Sequence, residues 1–582
     1  MKELKYLNKY LLKYKFQLFL GIIISIIARI FSLFAPRLVN NSLSIVEEYI
    51  KYENISTETL QKELLINIGL IIITALISGF FTFLIRQTII NVSRYIEYDL
   101  KNEIFLHYQN LSIEFYKKNR TGDLMTRITE DVSKVRMYFG PAIMYSINTT
   151  VLFIIVIASM INLAPTLSLY TLIPLPVLSI IIFKLSKSIH IRTTIIQQTI
   201  SRLSSFTQET FSGISIIKSF NIEPRIESKF NLLSIESKDR NLDLAKIQAW
   251  FFPLMILMIG LSNSLVIYVG GIQYIEEKID IGVLAEFILY VSMLTWPVAT
   301  VGWVTSIVQQ AEASQKRINA FLKQKPKILE GVNEKKIKGE IRFNNVKFKY
   351  SGAEINALNN ISFKILPGEK IGIIGNTGSG KSTILDLILR LYDVTNGEIL
   401  IDNINIKDYS LKTLRNSIGY VPQNPFLFSE TIIENIKYGN YKSKQLDVEK
   451  FAKKAQVHKE IIKFNSSYKT LLGERGVTLS GGQRQRISIA RALIKKPKIL
   501  IFDDCLSSVD SETEDEILKE INNLGRSRTL IITSNNISSI IDADKILVIQ
   551  NGEIIQMGSH KKLIEINGYY RSLYNKQKTE KH

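Results

Sequence analysis

One glycine-rich segment of the chain has the residue types needed to surround a phosphate group. In order it consists of Gly375, Asn376, Thr377, Gly378, Ser379, Gly380, Lys381, Ser382 and Thr383. It follows a short apolar strand at 371–374 and precedes a helix-like stretch that ends near residue 391. Glycines let backbone N–H groups approach phosphate oxygens, and the N-terminus of the following helix adds a favourable dipole. This setting predicts a nucleotide site in which Lys381 reaches the β- and γ-phosphates and Ser382 binds Mg²⁺.

A second buried strand, at 498–502, ends at Asp503. An acidic residue at the tip of a parallel strand beside a phosphate loop holds Mg²⁺, usually through water. An isolated Asp after an apolar strand is more often a simple edge residue. The nearby phosphate loop favours the metal role for Asp503.

A pentapeptide between these motifs consists of Leu479, Ser480, Gly481, Gly482 and Gln483. It predicts a helix N-terminus that offers backbone N–H groups to an anion. With this segment the chain resembles the nucleotide-binding domain of ATP-binding-cassette proteins, whose signature is LSGGQ. The resemblance implies that the pentapeptide binds the γ-phosphate of ATP held by an opposite domain. ATP then lies between two chains, and the protein works as a dimer.

Further family positions follow in the expected order. The resemblance assigns Tyr350 to stacking on adenine, and Gln423 to Mg²⁺ and the attacking water. It assigns Ser508 and Asp510 to a loop that crosses the dimer interface. Segments 115–127 and 213–220 resemble the cytoplasmic loops of the exporter subfamily, and 313–322 resembles its connection to the ATP-binding domain. Fusion of both domains in one chain is an exporter feature within this family.

The elements that must position these motifs fall into two unlike halves of a 582-residue chain. A membrane-crossing helix needs about 20 mostly apolar residues. Such runs occur at 16–35, 64–85, 137–183, 247–275 and 287–311, and the third run is long enough for two helices separated by a turn at 162–165. Six spans are therefore expected. The charged connections 86–136 and 184–246 are expected to be helical extensions closed by turns at 120–123 and 212–215, whereas 36–63, 162–165 and 276–280 are external.

The predicted architecture is an all-α domain of six transmembrane helices at 1–322, of the type I exporter (type IV) fold, and an α/β P-loop nucleotide-binding domain at 340–576. A linker at 323–339 joins them, and 577–582 form a tail. Five lysines before the first span place the N-terminus in the cytoplasm, and six spans return the ATP-binding domain to that side. We therefore expect a multi-pass plasma-membrane protein in contact with lipid.

The net charge of +20 permits nucleic-acid binding, but the Lys and Arg residues concentrate in loops between spans, as the positive-inside rule predicts. No nucleic-acid partner is expected. The single cysteine excludes an intrachain disulfide.

Two positions depart from the family pattern. The residue after Asp503 is normally Glu, the general base, and here it is Asp504, which is shorter by roughly 1.5 Å. A base must lie within hydrogen-bonding reach of the proton it abstracts, directly or through one water. Asn535 stands where the family has a His that contacts the γ-phosphate, and an amide cannot act as a protonatable partner.

These departures predict the degenerate ATP site of a heterodimeric exporter, with a second half-transporter as the partner. The partner is expected to carry Glu, His and an altered signature. A homodimer with slow hydrolysis and an ATP-binding regulatory subunit are the alternatives. ATP and Mg²⁺ are the expected ligands of the site.

The substrate is expected to be a small amphipathic molecule, such as a drug, lipid or peptide, but no motif identifies it. Arg29 lies in an apolar span, where a charge usually faces a cavity or a partner, although it could also reach the membrane interface. Tyr290, Met293, Trp296 and Trp303 of the last span are further cavity candidates. Helix packing or lipid contact is the more common role for such side chains.

Overall fold

The computed structural model describes residues 3–52, 56–473, 476, 478–507, 509–523 and 527–580. Contacts divide the chain into two compact units. The first consists of Met1–Gln109 and Thr121–Gln324, and the second of Asn110–Arg120 and Lys325–His582. The short segment Asn110–Arg120, between the second and third spans in sequence, thus packs with the C-terminal region of the chain.

Within the described residues, six helical stretches are long and apolar enough to cross a membrane, which confirms the predicted number. They are Lys15–Lys51, Thr57–Asn110, Thr121–Leu163, Pro165–Ser212, Glu223–Ile275 and Ile281–Leu322. Each has 37 to 54 residues, whereas about 20 suffice to cross the hydrocarbon core. The spans therefore continue well beyond the thickness of a bilayer, as predicted for 86–136 and 184–246.

The helices of the first unit have the following bounds: α1 Asn8–Lys13, α2 Lys15–Ser32, α3 Phe34–Tyr52, α4 Thr57–Ile85, α5 Asn91–Asn110, α7 Thr121–Thr126, α8 Val132–Met137, α9 Ile143–Leu163, α10 Pro165–Leu172, α11 Pro174–Ser212, α12 Ile214–Phe220, α13 Glu223–Gln248, α14 Phe251–Ile275 and α15 Ile281–Leu322. Helix α6, Ile113–Lys118, belongs to the second unit. A 3₁₀ helix covers Glu3–Leu7, and π-helical turns cover Arg86–Ile90, Arg127–Asp131 and Tyr138–Ala142.

The segment after the first span differs from its prediction. Residues 36–52, expected to be part of an external connection, are helical in α3, and helix resumes at Thr57. Apolar residues recur at helical spacing there, at Val39, Leu43, Val46 and Ile50. This periodicity extends the helix beyond the end of the uninterrupted apolar run.

The described part of the second unit forms two sheets. Their strands are β1 Ile341–Phe348, β2 Leu358–Ile365, β3 Lys370–Gly375, β4 Asn396–Ile401, β5 Ile404–Asn405, β6 Ile418–Val421, β7 Ile499–Asp503, β8 Thr529–Thr533, β9 Lys545–Gln550 and β10 Glu553–Gly558. The first sheet has the order β2-β1-β4-β5 and is antiparallel. The second has the order β10-β9-β3-β8-β7-β6, in which only the edge strand β10 pairs antiparallel.

The helices of this unit after α6 are α16 Lys381–Ile388, α17 Leu411–Asn416, α18 Ile432–Lys437, α19 Gln445–Lys454, α20 His458–Ile461, α21 Gly481–Ile494, α22 Ser511–Asn522, α23 His560–Glu565 and α24 Tyr569–Glu580. Strands β3, β7 and β8 are buried along nearly their whole length, because Ile, Leu and Phe occupy most of their positions and both faces are covered. In the register of the sheet Asp503 lies opposite Thr533, and Thr533 opposite Ile373. The carboxyl ends of these three strands therefore meet at one edge, where ligands bind in parallel α/β sheets.

Candidate functional site

The phosphate loop connects β3 to α16 at this sheet edge. A Cβ atom on Gly375 would lie 2.1 Å from the backbone oxygen of Ile549, so no larger residue fits there. Gly380 has φ of +107° just before the helix, and a Cβ on it would lie 2.8 Å from the Ala357 oxygen. These constraints hold the loop backbone close to the space above the helix N-terminus, where an anion is favoured.

Polar groups in the loop are arranged for an anionic ligand. The Lys381 ammonium donates to the backbone oxygens of Gly375 and Asn376, at 2.6 and 3.1 Å, and to Asn535 Oδ1 at 3.1 Å. Burial lowers the pKa of Lys381. The buried Ser379 hydroxyl has no hydrogen-bond partner among the described residues. An unpaired buried hydroxyl beside a buried lysine fits a bound phosphate, which supplies acceptors to both.

The predicted metal-binding residues also lie together. Ser382 Oγ donates to Asp503 Oδ1 at 3.1 Å, and Thr533 Oγ1 donates to the same oxygen at 2.7 Å. Asp503 is buried at the tip of β7. Hydroxyl and carboxylate oxygens are the ligands that Mg²⁺ prefers, so this pair fits the ion.

Asp504 lies directly beyond Asp503, in a left-handed backbone conformation with φ of +43°. Its Oδ2 atom accepts hydrogen bonds from two amides, Asn535 Nδ2 at 2.8 Å and Gln423 Nε2 at 3.1 Å. Burial raises the pKa of Asp504, while hydrogen bonds from Asn535 and Gln423 and the charge of Lys381 oppose that rise. The structure thus brings together the three predicted catalytic residues Asp504, Asn535 and Gln423.

The signature pentapeptide forms the start of α21, as its sequence predicts. Ser480 is the N-cap: its hydroxyl accepts from the Gln483 N–H at 3.2 Å, and Gln483 Oε1 accepts from the Ser480 N–H at 3.0 Å. This reciprocal capping box fixes the N-terminus of a 14-residue helix, at which Ser480 and Gly481 are exposed. A Cβ on Gly481 would meet no atom within 4 Å, so the surface there is open to a ligand.

The loop after Asp504 is described in part. Asp510 is the N-cap of α22 and accepts from the Thr513 N–H at 2.9 Å. This hydrogen bond lowers the pKa of Asp510. Ser508, the other residue predicted for this loop, lies outside the described residues.

Tyr350 follows β1 and forms a hydrogen bond with Thr383 Oγ1 at 3.1 Å, which places it beside the first turn of α16. The Lys117 ammonium of α6 lies 5.5 Å from the centre of the Tyr350 ring and 5.3 Å from that of Tyr392. Sequence reasoning missed Lys117, because nothing local distinguishes it among 73 Lys and Arg residues.

The five predicted cavity residues lie in different surroundings. Tyr290 is fully buried and donates to Glu286 Oε1 at 2.5 Å, and Met293 packs against the same apolar cluster. Trp296 is 64% exposed, and the Arg29 Nε atom is buried without a hydrogen-bond partner in the described structure. Trp303, the fifth, lines a cavity of about 640 Å³ between α11 and α15, together with Phe183, Ser186 and Gln310.

Comparison with known proteins identifies both regions. Residues 18–298 match the ABC transporter transmembrane region, and residues 358–507 match the ATP-binding family described as ABC transporter. The chain is 35% identical over 520 residues to the multidrug resistance-like ATP-binding protein MdlA of Escherichia coli, covering 89% of this chain and 88% of that protein. It is 32% identical over 577 residues to the probable multidrug resistance ABC transporter ATP-binding/permease protein YheI of Bacillus subtilis, covering 99% and 97%.

A solved structure of a bacterial Atm1-family ABC exporter with ATP bound has the same fold. It superposes with a TM-score of 0.80 at 23% identity and covers 96% of this chain and 99% of its own. The relatives above 30% identity align over most or all of their length. The chain therefore belongs to the ABC exporters, with a multi-pass transmembrane region and an ATP-binding ATPase domain in one polypeptide.

Proposed function

We propose that this chain is one subunit of a heterodimeric exporter and supplies the phosphate loop of its weakly hydrolysing ATP site. The observation that carries this proposal is the double hydrogen bond to Asp504 Oδ2 from Asn535 and Gln423. The oxygen that would take a proton from the attacking water already accepts from two amide groups. Both donors stabilise the ionised form and oppose the rise in pKa that burial causes. They also occupy the carboxylate oxygen that would otherwise accept from the water.

Asn535 contributes a second reason for slow hydrolysis. Its side chain connects Asp504 to Lys381, because Nδ2 donates to the carboxylate and Oδ1 accepts from the ammonium at 3.1 Å. A histidine at this place could carry a proton or a positive charge, whereas an amide can do neither. The residues that would bind ATP and Mg²⁺ are retained, whereas the two that would accept or carry a proton during hydrolysis are replaced. This combination favours binding of ATP over its hydrolysis.

Ser382 and Asp503 would hold Mg²⁺ in this site, with Gln423 as a further oxygen ligand. The ion would supply charge neutralisation for the β- and γ-phosphates. Lys381 would exchange its contacts with the loop carbonyls for phosphate oxygens, and Tyr350 would stack on adenine.

The intact signature would serve the second ATP, which is held by the partner. Ser480 and the N–H groups of Gly481 and Gly482 are presented by an exposed helix N-terminus, and that arrangement favours a negatively charged group. The competent site would thus combine this chain's signature with the partner's phosphate loop. ATP-driven closure would switch the spans between inward- and outward-facing states.

The proposed cargo is a small amphipathic molecule, such as a drug, lipid or peptide, moved across the plasma membrane from the cytoplasmic side. Relatives named as multidrug resistance proteins support this class. The cavity between α11 and α15 combines apolar and aromatic side chains with hydroxyl and amide groups and with Lys187 and His190, and this mixture of apolar and polar groups suits such molecules.

The test is the composition and turnover of the complex purified through a tag on this chain from its native membrane. We expect one subunit of 66.5 kDa and one different subunit, with Glu and His at the positions of Asp504 and Asn535. Substrate-stimulated ATP hydrolysis is expected to survive Asp504→Asn in this chain. A pure homodimer that turns over ATP at exporter rates would overturn the proposal, and a complex with no ATP turnover at all would favour a regulatory subunit.

A further inference from the structure

The last described helix, α24, is firmly attached to the ATP-binding domain. Tyr570 is fully buried, its hydroxyl lies 2.7 Å from His560 Nδ1, and its N–H donates to Gln556 Oε1 at 3.0 Å. Leu573 and Tyr574 pack against the main apolar cluster of the domain. A helix held in this way can fix the position of other groups that its side chains contact.

Gln577 in the third turn of α24 binds the backbone around Asn535. Its Nε2 donates to the Asn535 oxygen at 2.8 Å, and its Oε1 accepts from the Ile537 N–H at 2.9 Å. One planar amide therefore holds both ends of a three-residue segment. The side chain of Asn535, at the start of that segment, contacts Asp504 and Lys381.

Tyr569, at the start of the same helix, reaches the phosphate loop. Its hydroxyl donates to Asn376 Oδ1 at 2.6 Å, and Asn376 is the residue after Gly375 at the end of β3. Tyr569, Leu573 and Gln577 are spaced by four residues and so lie on one face of α24. Tyr569 and Gln577 are about 12 Å apart along the helix. Their contacts therefore connect the phosphate loop to the Asn535 segment.

We propose that Tyr569 and Gln577 are positioning residues for ATP, and that α24 sets the separation between the phosphate loop and the Asn535 segment. Tyr569 acts on the loop that holds every phosphate of the nucleotide. Gln577 acts on the segment whose Asn535 accepts from Lys381, the residue that would reach the β- and γ-phosphates. The two residues therefore differ in their effect on nucleotide binding. Loss of the Tyr569 contact weakens the binding of ATP and of ADP to the same extent, whereas loss of the Gln577 contacts weakens the binding of ATP more than that of ADP. This inference does not depend on whether the partner is a second copy or a different chain.

The experiment measures photolabelling of this chain by 8-azido-ATP and 8-azido-ADP with Mg²⁺ in the purified full-length complex. Labelled chains are identified by mass, so the partner's site does not contribute. Gln577→Ala is expected to raise the half-labelling concentration of 8-azido-ATP about 2- to 10-fold, the effect of one or two hydrogen bonds, and that of 8-azido-ADP by less than about 2-fold. Tyr569→Phe is expected to raise both by about 2- to 10-fold.

Lys578→Ala is the matched control, since Lys578 is the exposed neighbour of Gln577 on the same helix. It is expected to leave both concentrations unchanged. Gln577→Glu keeps the acceptor for the Ile537 N–H but loses the donor to Asn535, and is expected to give the same ATP selectivity as Gln577→Ala. Gln577→Ala could instead weaken ATP and ADP labelling equally and also lower the Tm of the nucleotide-free protein. That result would mean that α24 only stabilises the domain, and it would overturn the proposal. Labelling identical to Lys578→Ala would overturn it as well.

Discussion

Asn535 Nδ2 donates to Asp504 Oδ2 at 2.8 Å, so the two residues that depart from the family pattern are direct partners. A change at one position alters the hydrogen bonding of the other. The pair therefore has to be tested together as well as singly.

We predict that Asp504→Glu combined with Asn535→His restores hydrolysis at this chain's site. Glu reaches farther toward the attacking water, and His no longer provides the amide that blocks the carboxylate oxygen. The measurement is ATP hydrolysis by the complex in which the partner's general base has been replaced by Gln. The double variant is expected to hydrolyse ATP about 10²-fold faster than the unmodified chain or more, and each single variant is expected to gain less.

Asn536→His places the same imidazole one residue away and serves as the control. It is expected to produce no gain. A double variant no faster than this control would mean that Asp504 and Asn535 do not limit hydrolysis at this site.

The signature gives a prediction that separates the two composite sites. Ser480→Ala removes the hydroxyl that caps α21. We propose that the same hydroxyl contacts the ATP held by the partner. We expect ATP hydrolysis by the complex to fall about ten-fold or more. The concentration of 8-azido-ATP that half-labels this chain should stay within about 2-fold, because its own phosphate loop is unchanged.

Ser410→Ala is a matched capping control, since Ser410 caps α17 by accepting from the Thr413 N–H at 3.2 Å. Each variant loses an N-cap contribution of about 1 kcal/mol. Equal effects of the two substitutions on hydrolysis would show that Ser480 matters only for the helix.

Much of this site could be predicted from local sequence. The phosphate loop and the signature each lie within a few consecutive residues. Five apolar runs, one of them long enough for two helices, predicted the number of spans. Contacts made by residues far apart in sequence could not be predicted in this way. Lys117 reaches Tyr350 from α6, and Gln577, placed in a tail by sequence alone, reaches Asn535 because α24 packs on the domain core.

Asp386 on α16 makes stability depend on pH. Burial raises its pKa to about 6, although the nearby Lys117 ammonium opposes the rise. The folded state therefore binds this proton more tightly than the unfolded state does. The resulting stability is present below the ordinary pKa of 3.8 and is lost as the pH rises through about 6.

Asp386→Asn removes the cost of ionising this side chain. We expect the variant to raise the Tm of the protein more at a pH of about 7.5 than at about 4.5. The measurement is thermal unfolding at both pH values, with the exposed Asp515→Asn as control. A gain that is the same at both pH values would show that the carboxyl does not titrate in this range.

Glu286 connects the first and last spans through polar contacts in an apolar bundle. It is 2% exposed and accepts from Asn40 Nδ2 at 2.6 Å and from the Tyr290 hydroxyl at 2.5 Å. Glu286→Ala would remove the acceptor of the buried Tyr290 hydroxyl and of the half-buried Asn40 amide, at a cost of about 1–3 kcal/mol for the buried donor. Glu286→Gln keeps one acceptor oxygen and is expected to lose less stability.

The relative stabilities of these variants can be measured by thermal unfolding of the detergent-purified protein. We expect the Tm to fall most for Glu286→Ala, less for Glu286→Gln, and little for Glu276→Ala, which removes a largely exposed ion pair with Lys278. Tyr290→Phe removes one of the two donors without leaving an orphaned group on the ring, so its Tm should lie close to that of Glu286→Gln. If Glu286→Ala were as stable as Glu276→Ala, the buried carboxylate would not hold these spans together.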